Sequence, residues 1–343
     1  MYHPATKMIS KRLLHGAAVL SSRRFIKLTG LDAPKFLQGL TTNNIQHLHS
    51  PTSTGQYSAL LNAQGRLMYD VFVYRTDEDY FVECDGQIHE RVFFHLQTYN
   101  LRTRTDIKMV DEPVVVFSSI PLEGSVASAK DSRSDWNFTR YLFPSKSVMQ
   151  ASIADAPTFT EGRYNRERIL KGIPEGAYEI ASRQAIPLEF NVDLMGGIDF
   201  NKGCYLGQEL VTRTHHRGVV RKRVLPLRFH SLDPETVKPI RPDPFACDPT
   251  SPLTKNLDKQ NDFLPTTIEP SGKLKILSRT DSVGKHIFSQ GNIGIGMMRL
   301  ESLIDSESRN NLATLDHINI DWILADAVIP DWWPKTIFDN MQQ

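Results

Sequence analysis

Residues 202–209 read Lys-Gly-Cys-Tyr-Leu-Gly-Gln-Glu, and they are the most informative stretch of the chain. Cys204 stands between two glycines, Gly203 and Gly207, which permit tight turns and the close approach of another molecule. Lys202 lies two positions before the cysteine, and a nearby cation favours the thiolate, the nucleophilic and metal-binding form. The residues alone leave two interpretations open: a reactive or metal-ligating thiol on a loop, or a buried structural cysteine in a glycine-rich turn.

Length and composition describe an ordinary globular protein. The 343 residues suffice for two or three packed units. The net charge of +1 disfavours a general nucleic-acid binder, which is usually strongly basic, so we expect no nucleic-acid partner. No apolar run approaches the ~20 residues of a membrane-spanning helix, so no transmembrane segment is expected.

Cysteine usage limits the kinds of metal site. The chain has three cysteines, Cys84, Cys204 and Cys247, and no C-x-x-C pair. This pattern suits a reducing compartment and excludes a site built from four cysteines of this chain. A cluster bound at Cys204 would therefore need ligands from another molecule. Cys84 is expected in the core of a strand, and Cys247 falls in a proline-rich segment.

Local patterns predict the order of the elements. Asp32 is expected to cap a short helix that presents Phe36, Leu37 and Leu40. Further helices are expected over 88–99 and 164–171. Strands are expected over 13–20, 24–30, 58–61, 67–74, 79–84, 107–117, 140–143, 219–229, 273–277, 284–288, 292–299 and 317–325. On a strand, neighbouring side chains point to opposite faces, which disfavours a metal ion shared by His215 and His216.

The octapeptide also carries a family resemblance. It resembles the K-G-C-[aromatic]-x-G-Q-E motif of the YgfZ-like folate-binding proteins, which are relatives of the glycine-cleavage T-protein. Residues 187–191 (P-L-E-F-N), 173–176 (I-P-E-G) and 36–43 (F-L-Q-G-L-T-T-N) resemble further family segments. The basic run 213–223 is similar to the eukaryotic mitochondrial branch, whose members assist iron–sulfur cluster assembly.

This resemblance implies the fold and its division. It implies an α+β, T-protein-like (GcvT-like) folate-binding fold followed by a C-terminal β-barrel. We expect a folate-binding domain over 11–222, made of two interlocked subdomains, and a barrel domain over 223–343. The stretch 232–270, rich in proline and poor in apolar residues, is predicted to be a flexible insertion. The basic, acid-poor start of the chain is typical of mitochondrial targeting, and we expect residues 1–10 to be a leader or its remnant.

The resemblance also implies a function. The expected protein is an assembly factor of the mitochondrial matrix that matures 4Fe–4S proteins together with an A-type iron–sulfur scaffold protein. Cys204 would supply a thiolate to an Fe–S cluster shared with that partner. The cluster would pass on to recipient 4Fe–4S enzymes. The signature motif expected to form the site comprises Lys202, Gly203, Cys204, Tyr205, Gly207, Gln208 and Glu209.

Relatives of this kind bind tetrahydrofolate, so the resemblance implies a folate site. Glu189 is the candidate for the pterin ring, because one carboxylate can accept two adjacent N–H donors. Asp70, Asn43 and Arg213 are the further folate-binding candidates. The basic run around Arg213 suits the glutamate tail of a folate, an acidic partner or a solvated strand.

One departure from the T-protein bears on catalysis. Where the T-protein has paired aspartates, this chain has Tyr69-Asp70, so one carboxylate is missing and aminomethyl transfer is in doubt. The alternative function is a folate-dependent one-carbon transferase or demethylase, for which the retained Asp70 and Glu189 argue. A non-enzymatic assembly factor is the expectation that we carry forward.

Overall fold

The computed structural model describes residues 14–50, 54–77, 79–232, 239–240, 273–276, 282–304, 313–315 and 323–337. The predicted leader, nearly all of the predicted insertion and Cys247 lie outside these residues. The helices are α1 Ala33–Leu40, α2 His89–Tyr99, α3 Lys146–Ile153, α4 Glu161–Leu170, α5 Gln208–Arg217 and α6 Glu301–Ile304. The strands are β1 Ala17–Val19, β2 Arg23–Thr29, β3 Gly55–Leu61, β4 Leu67–Arg75, β5 Tyr80–Asp85, β6 Asp106–Val110, β7 Val114–Ser118, β8 Ala127–Lys130, β9 Thr139–Phe143, β10 Lys222–Leu232, β11 Pro239–Ile240, β12 Lys273–Ile276, β13 Ser282–Gln290, β14 Ile293–Arg299, β15 Ala313–Leu315 and β16 Ile323–Ala327.

The first sheet is five-stranded and antiparallel, in the order β3-β4-β5-β2-β6. Val71 and Val73 of β4 pack with buried residues of α1 and α2, whereas Phe72 and Tyr74 belong to the core shared with a second sheet. Because successive side chains of a strand point to opposite faces, Asp70 lies on the same face as Phe72 and Tyr74. A carboxylate is thereby placed in the interior between two sheets.

The second sheet is four-stranded, in the order β1-β7-β9-β8. The single strand predicted over 107–117 is wrong: β6 belongs to the first sheet and β7 to the second. The polar segment 111–113 separates them and ends in Pro113, which has no N–H to donate to a continuous ladder. This crossing brings the two sheets face to face, with Phe117, Leu142 and Tyr57 in their common core.

The C-terminal strands form a closed barrel. β10 pairs with β14 at one edge and with β16 at the other, so the order β10-β14-β13-β12-β15-β16 returns to its start. Closure removes exposed sheet edges. Trp333 is buried in the barrel core, and the indole of Trp332 donates to the Lys171 carbonyl at 2.9 Å. This contact joins the barrel to the end of α4.

Candidate functional site

Residues 202–207 form a loop that leads directly into α5, and we call it the thiol loop. Its cysteine, Cys204, is a free and exposed thiol, which removes the interpretation of a buried structural cysteine. Cys84 is free but buried in β5, and burial raises the pKa of its thiol to about 12. A protonated, buried thiol is inert. Of these two thiols, Cys204 is therefore the one available for chemistry.

Lys202 anchors the start of the thiol loop rather than activating the thiol. Its ammonium donates to three backbone carbonyls at the end of α1 and just beyond it: Gln38 at 2.8 Å, Thr41 at 2.6 Å and Asn43 at 2.9 Å. Burial lowers the pKa of Lys202 to about 8, and Asp199 opposes part of that shift. The expectation that Lys202 favours the Cys204 thiolate needs correction, because all three of its donors bond to carbonyl oxygens.

A second anchor lies on the other side of the cysteine. The Leu206 N–H donates to the Gly39 carbonyl of α1 at 2.9 Å, and the Tyr205 N–H donates to the Gln208 side chain at 3.1 Å. The loop is thus fastened to α1 two residues before Cys204 and two residues after it. The thiol is held on a short span of backbone between fixed points.

The two glycines of the motif have different roles. Gly207 has φ +77°, and a Cβ there would lie 2.3 Å from the Asn62 carbonyl oxygen and 2.9 Å from the Gly65 Cα. Only glycine fits that close contact with the turn between β3 and β4. At Gly203 an added Cβ would meet nothing within 4 Å. The expectation that both glycines shape the loop is therefore met at Gly207 alone.

Helix α5 corrects the strand assumed for the two histidines. His215 and His216 lie in α5, with ring centroids 4.9 Å apart, and His215 stacks on Phe200 at 3.7 Å. This stack braces α5 against the segment that enters the thiol loop. Helix α5 follows Gly207. The negative charge of Glu209 in its first turn interacts favourably with the positive end of the helix dipole. Arg213 lies exposed on this helix.

The interior between the two sheets contains ionised side chains that sequence reasoning missed. We call this set the buried charge cluster: Arg23, Asp70, Glu83, Asp131, Arg133, Arg140 and Glu175. Arg140 contacts Glu83, Asp131 and Glu175, and it stacks on the Phe72 ring at 4.1 Å. The sequence signal for this cluster was a lone charged residue within an apolar strand, such as Glu83 in β5 or Arg140 in β9.

Four arginines compensate the Glu175 carboxylate. Burial alone would raise the pKa of Glu175, but the arginines outweigh it and hold the pKa well below its usual range: Arg23, Arg133, Arg140 and Arg168. Tyr164 also donates to the carboxylate at 2.6 Å. The charge stays buried because it is fully paired.

Asp70 braces the fold. Its side chain is 1% exposed, and its Oδ1 accepts from the Gly176 N–H at 2.9 Å. Its Oδ2 lies 3.8 Å from the Arg23 Nη2, and within the described residues neither atom has a hydrogen-bond partner. Burial and Glu175 raise the pKa of Asp70, against the effect of Arg23. The carboxylate therefore ties β4 to the 173–176 turn.

Two family patterns match most of the chain. The GCVT N-terminal domain matches residues 16–125, and the CAF17 C-terminal beta-barrel domain matches residues 221–335. Among solved structures, the glycine cleavage system aminomethyltransferase T from Bartonella henselae has a similar fold, with a TM-score of 0.63 and 10% sequence identity. The similarity covers 93% of this chain and 87% of that chain. The expected T-protein-like fold with a C-terminal β-barrel is thereby confirmed. The boundary predicted at 222/223 stays a prediction.

Relatives that match along most of the chain decide the family. A Pyricularia oryzae protein is 35% identical over 92% of this chain and 84% of its own length. The chain belongs to the IBA57 family. A Neurospora crassa relative is 36% identical over 85% of this chain and 71% of its own length. A Dictyostelium discoideum relative is 30% identical over 92% of each chain. All three are named iron–sulfur cluster assembly factor IBA57 homolog, mitochondrial. The resemblance to the mitochondrial iron–sulfur branch is confirmed.

The folate candidates of this IBA57 family member lie in separate surroundings. Glu189 is half-buried beside the start of β10, and its backbone oxygen accepts from the Val224 N–H at 2.9 Å. Burial raises the pKa of Glu189, with Lys222 and Arg66 acting against it. The Asn43 amide donates to two carbonyls, of Tyr57 and Gly196, each at 2.9 Å. Asp70 is internal and Arg213 is on α5, so all four folate assignments stay predictions.

The described ranges contain neither a metal-binding group of this kind nor a membrane-spanning helix. Over the described ranges of this IBA57 family member, no three His, Cys, Asp or Glu side chains are grouped so that they could hold a metal ion. Over the same ranges, no helix has the length and apolar character to span a bilayer.

Proposed function

We propose that this protein is an iron–sulfur cluster assembly factor for 4Fe–4S proteins of the mitochondrial matrix. It acts with an A-type scaffold protein through Cys204 and serves recipient 4Fe–4S enzymes. The observation that carries the proposal is an exposed thiol on a loop anchored at both sides, in a chain whose relatives are named mitochondrial assembly factors. The buried Cys84 offers no second accessible ligand.

The chemistry asked of Cys204 is ligand exchange. Cysteine thiolates are the usual ligands of iron–sulfur clusters. Cys204 loses its proton and takes one coordination position on a cluster iron, while the partner supplies the remaining ligands. When the recipient's own cysteines replace these ligands, the cluster leaves without a change in its electron count. The loop anchors keep the sulfur outward, which lowers the ordering cost of each exchange.

Tetrahydrofolate belongs to the same proposal, with Glu189 as its principal contact. Glu189 fits, because its described hydrogen bond uses the backbone oxygen and leaves the half-buried carboxylate to accept pterin N–H donors. Asp70 does not fit as a direct contact, since it is 1% exposed. When bound, folate would stabilise the native state by mass action. Calorimetry should detect binding at near-millimolar ligand, weakened in Glu189→Ala; no binding by the wild type would remove folate from the proposal.

A one-carbon transferase is the weaker alternative. Its candidate carboxylate, Asp70, bonds to the Gly176 amide and lies beside Arg23 in the interior. A group held in this way braces the fold and is shielded from a substrate.

Anaerobic reconstitution tests the function. The protein is mixed with an A-type scaffold protein, iron and sulfide, and cluster absorption is followed with wild type, Cys204→Ala and Cys84→Ala. We expect Cys204→Ala to abolish the contribution of this protein and Cys84→Ala to retain it. Equal spectra for wild type and Cys204→Ala would reject the proposal. A stable, stoichiometric cluster on the isolated protein would contradict the shared-ligand scheme.

A further inference from the structure

A groove of about 440 Å³ opens beside the thiol loop. Its walls are α1, the segment that follows α2, and Leu206 of the thiol loop. Because the Leu206 N–H bonds to the Gly39 carbonyl at 2.9 Å, the groove and the thiol loop share one backbone contact. Cys204 lies two residues from that contact. A chain seated in the groove would therefore run close to the thiol.

The floor of the groove contains a glycine that the fold does not require. Gly39 lies in the last turn of α1 with an ordinary backbone conformation, and an added Cβ would meet nothing within 4 Å. Glycine weakens a helix relative to alanine, so the fold alone would favour alanine there. Gly203, next to Cys204, has the same open surroundings. Bare backbone in the groove and beside the thiol leaves room for the close approach of a second chain.

The rim of the groove is positively charged and partly apolar. Lys35 and Arg102 line it, and Asp32, the one acidic lining residue, is paired with Arg104 at 3.2 Å. The lining therefore carries two cations and one carboxylate, and that carboxylate is paired with Arg104, which lies outside the lining. Next to these lining residues in the chain stand Leu31 and Leu101, which are 79% and 81% exposed. Such a rim suits an acidic segment that also carries an apolar side chain.

We propose that this groove docks an acidic polypeptide segment of the partner that shares the cluster at Cys204. The segment's backbone passes over Gly39, its carboxylates face Lys35 and Arg102, and an apolar side chain enters the groove. This inference rests on the proposed function, which supplies the need for a partner at the thiol. It adds where the partner binds and what chemistry its docking segment has.

A glycine substitution gives the sharpest test. Gly39→Ala adds one methyl group to the groove floor and should raise or preserve the unfolding midpoint. The affinity for purified A-type scaffold protein, measured by calorimetry, should fall at least about tenfold. The matched control is Gly162→Ala on α4, an exposed helical glycine whose added Cβ would meet only Thr160 Oγ1, at 3.8 Å. It should leave the affinity unchanged.

Charge reversal supplies the second arm. Lys35→Glu and Arg102→Glu should each slow association and reduce its dependence on salt, whereas Lys130→Glu, on the exposed edge of β8, should not. The docking site would be overturned if Gly39→Ala kept its affinity and both charge reversals kept their association rates.

The proposed function is tested separately. If Cys204→Ala fails to stop cluster assembly, the function fails whatever the groove variants do. If Cys204→Ala stops assembly and the groove variants bind normally, only the docking site fails.

Discussion

The thiol loop and the buried charge cluster are two polar regions of this molecule that are built in opposite ways. In the cluster, charges such as Arg140 and Glu175 compensate one another in the interior. In the thiol loop, a single cation, Lys202, is satisfied by neutral carbonyls, and the thiol it precedes is left exposed. The comparison teaches that paired charges here hold the sheets together, whereas the anchored, unpaired thiol is the group left free for chemistry.

Breaking the buried charge cluster should have the largest effect on stability. Arg140→Met removes one of the buried counter-charges of Glu83 and Glu175, which keep Arg23 and Arg133 respectively. Removing one partner of a buried pair typically costs about 3–5 kcal/mol. Denaturant unfolding measures the loss. The control is Lys27→Met, whose pair with Asp79 is partly exposed and should cost less than about 1 kcal/mol. Similar losses in the two variants would show that the cluster is no more important to stability than a surface pair.

Alanine substitutions at the two motif glycines should lower stability by different amounts. Gly207→Ala forces a side chain into a left-handed backbone against the Asn62 carbonyl and Gly65, which should cost about 2–3 kcal/mol. Gly203→Ala should change the unfolding midpoint little, because its Cβ meets open space. Thermal unfolding of both proteins checks this, and an equal loss at the two positions would contradict the described loop geometry.

Removing the Lys202 anchor should loosen the loop without deactivating the thiol. Lys202→Met loses three charge-assisted hydrogen bonds but also relieves the burial of an ammonium, for a net loss of about 2 kcal/mol. Alkylation mapped by mass spectrometry should label Cys204 much faster than Cys84 in wild type. The Cys204 rate in Lys202→Met should stay within about twofold of wild type, since a thiolate-directed effect requires the ammonium at the sulfur. A large fall in that rate would instead assign Lys202 to thiol activation.

A half-buried group outside the charge cluster gives the smallest effect on stability. Burial lowers the pKa of His95, between Tyr69 and Tyr99, from 6.5 to about 4. Between those pH values the unfolded chain binds the extra proton, so stability falls as pH falls, by about 1 kcal/mol after allowance for partial exposure. His95→Phe should lack this component. Parallel pH profiles of unfolding for the two proteins would contradict it.

Local patterns predicted most of the strands because alternation follows from having one face on a core. Strand β4, for example, was expected over 67–74 and runs to Arg75. Helix α5 escaped prediction because it follows a left-handed glycine without a side-chain cap, so the usual start signal is missing. The exposed Cys204 was one of two interpretations that the octapeptide left open.

Long-range pairing could not be predicted from local spacing. Lys202 bonds to carbonyls about 160 positions earlier in the chain. The partners of Arg140 likewise come from other strands and turns, with Glu83 lying 57 positions away. Isolated charges in apolar strands indicate burial, but their partners depend on how the two sheets face each other. The role of Asp70 as a brace belongs to the same class.

The most direct test of the central claim compares one variant from each region in cluster delivery. A recipient apo-enzyme is incubated anaerobically with A-type scaffold protein, iron, sulfide and either wild type, Cys204→Ala or Asp70→Asn, and its 4Fe–4S content is measured. We predict that Cys204→Ala delivers no more cluster than the mixture without this protein, while folded Asp70→Asn delivers as wild type does. Full delivery by Cys204→Ala would contradict the account, whatever folded Asp70→Asn delivers.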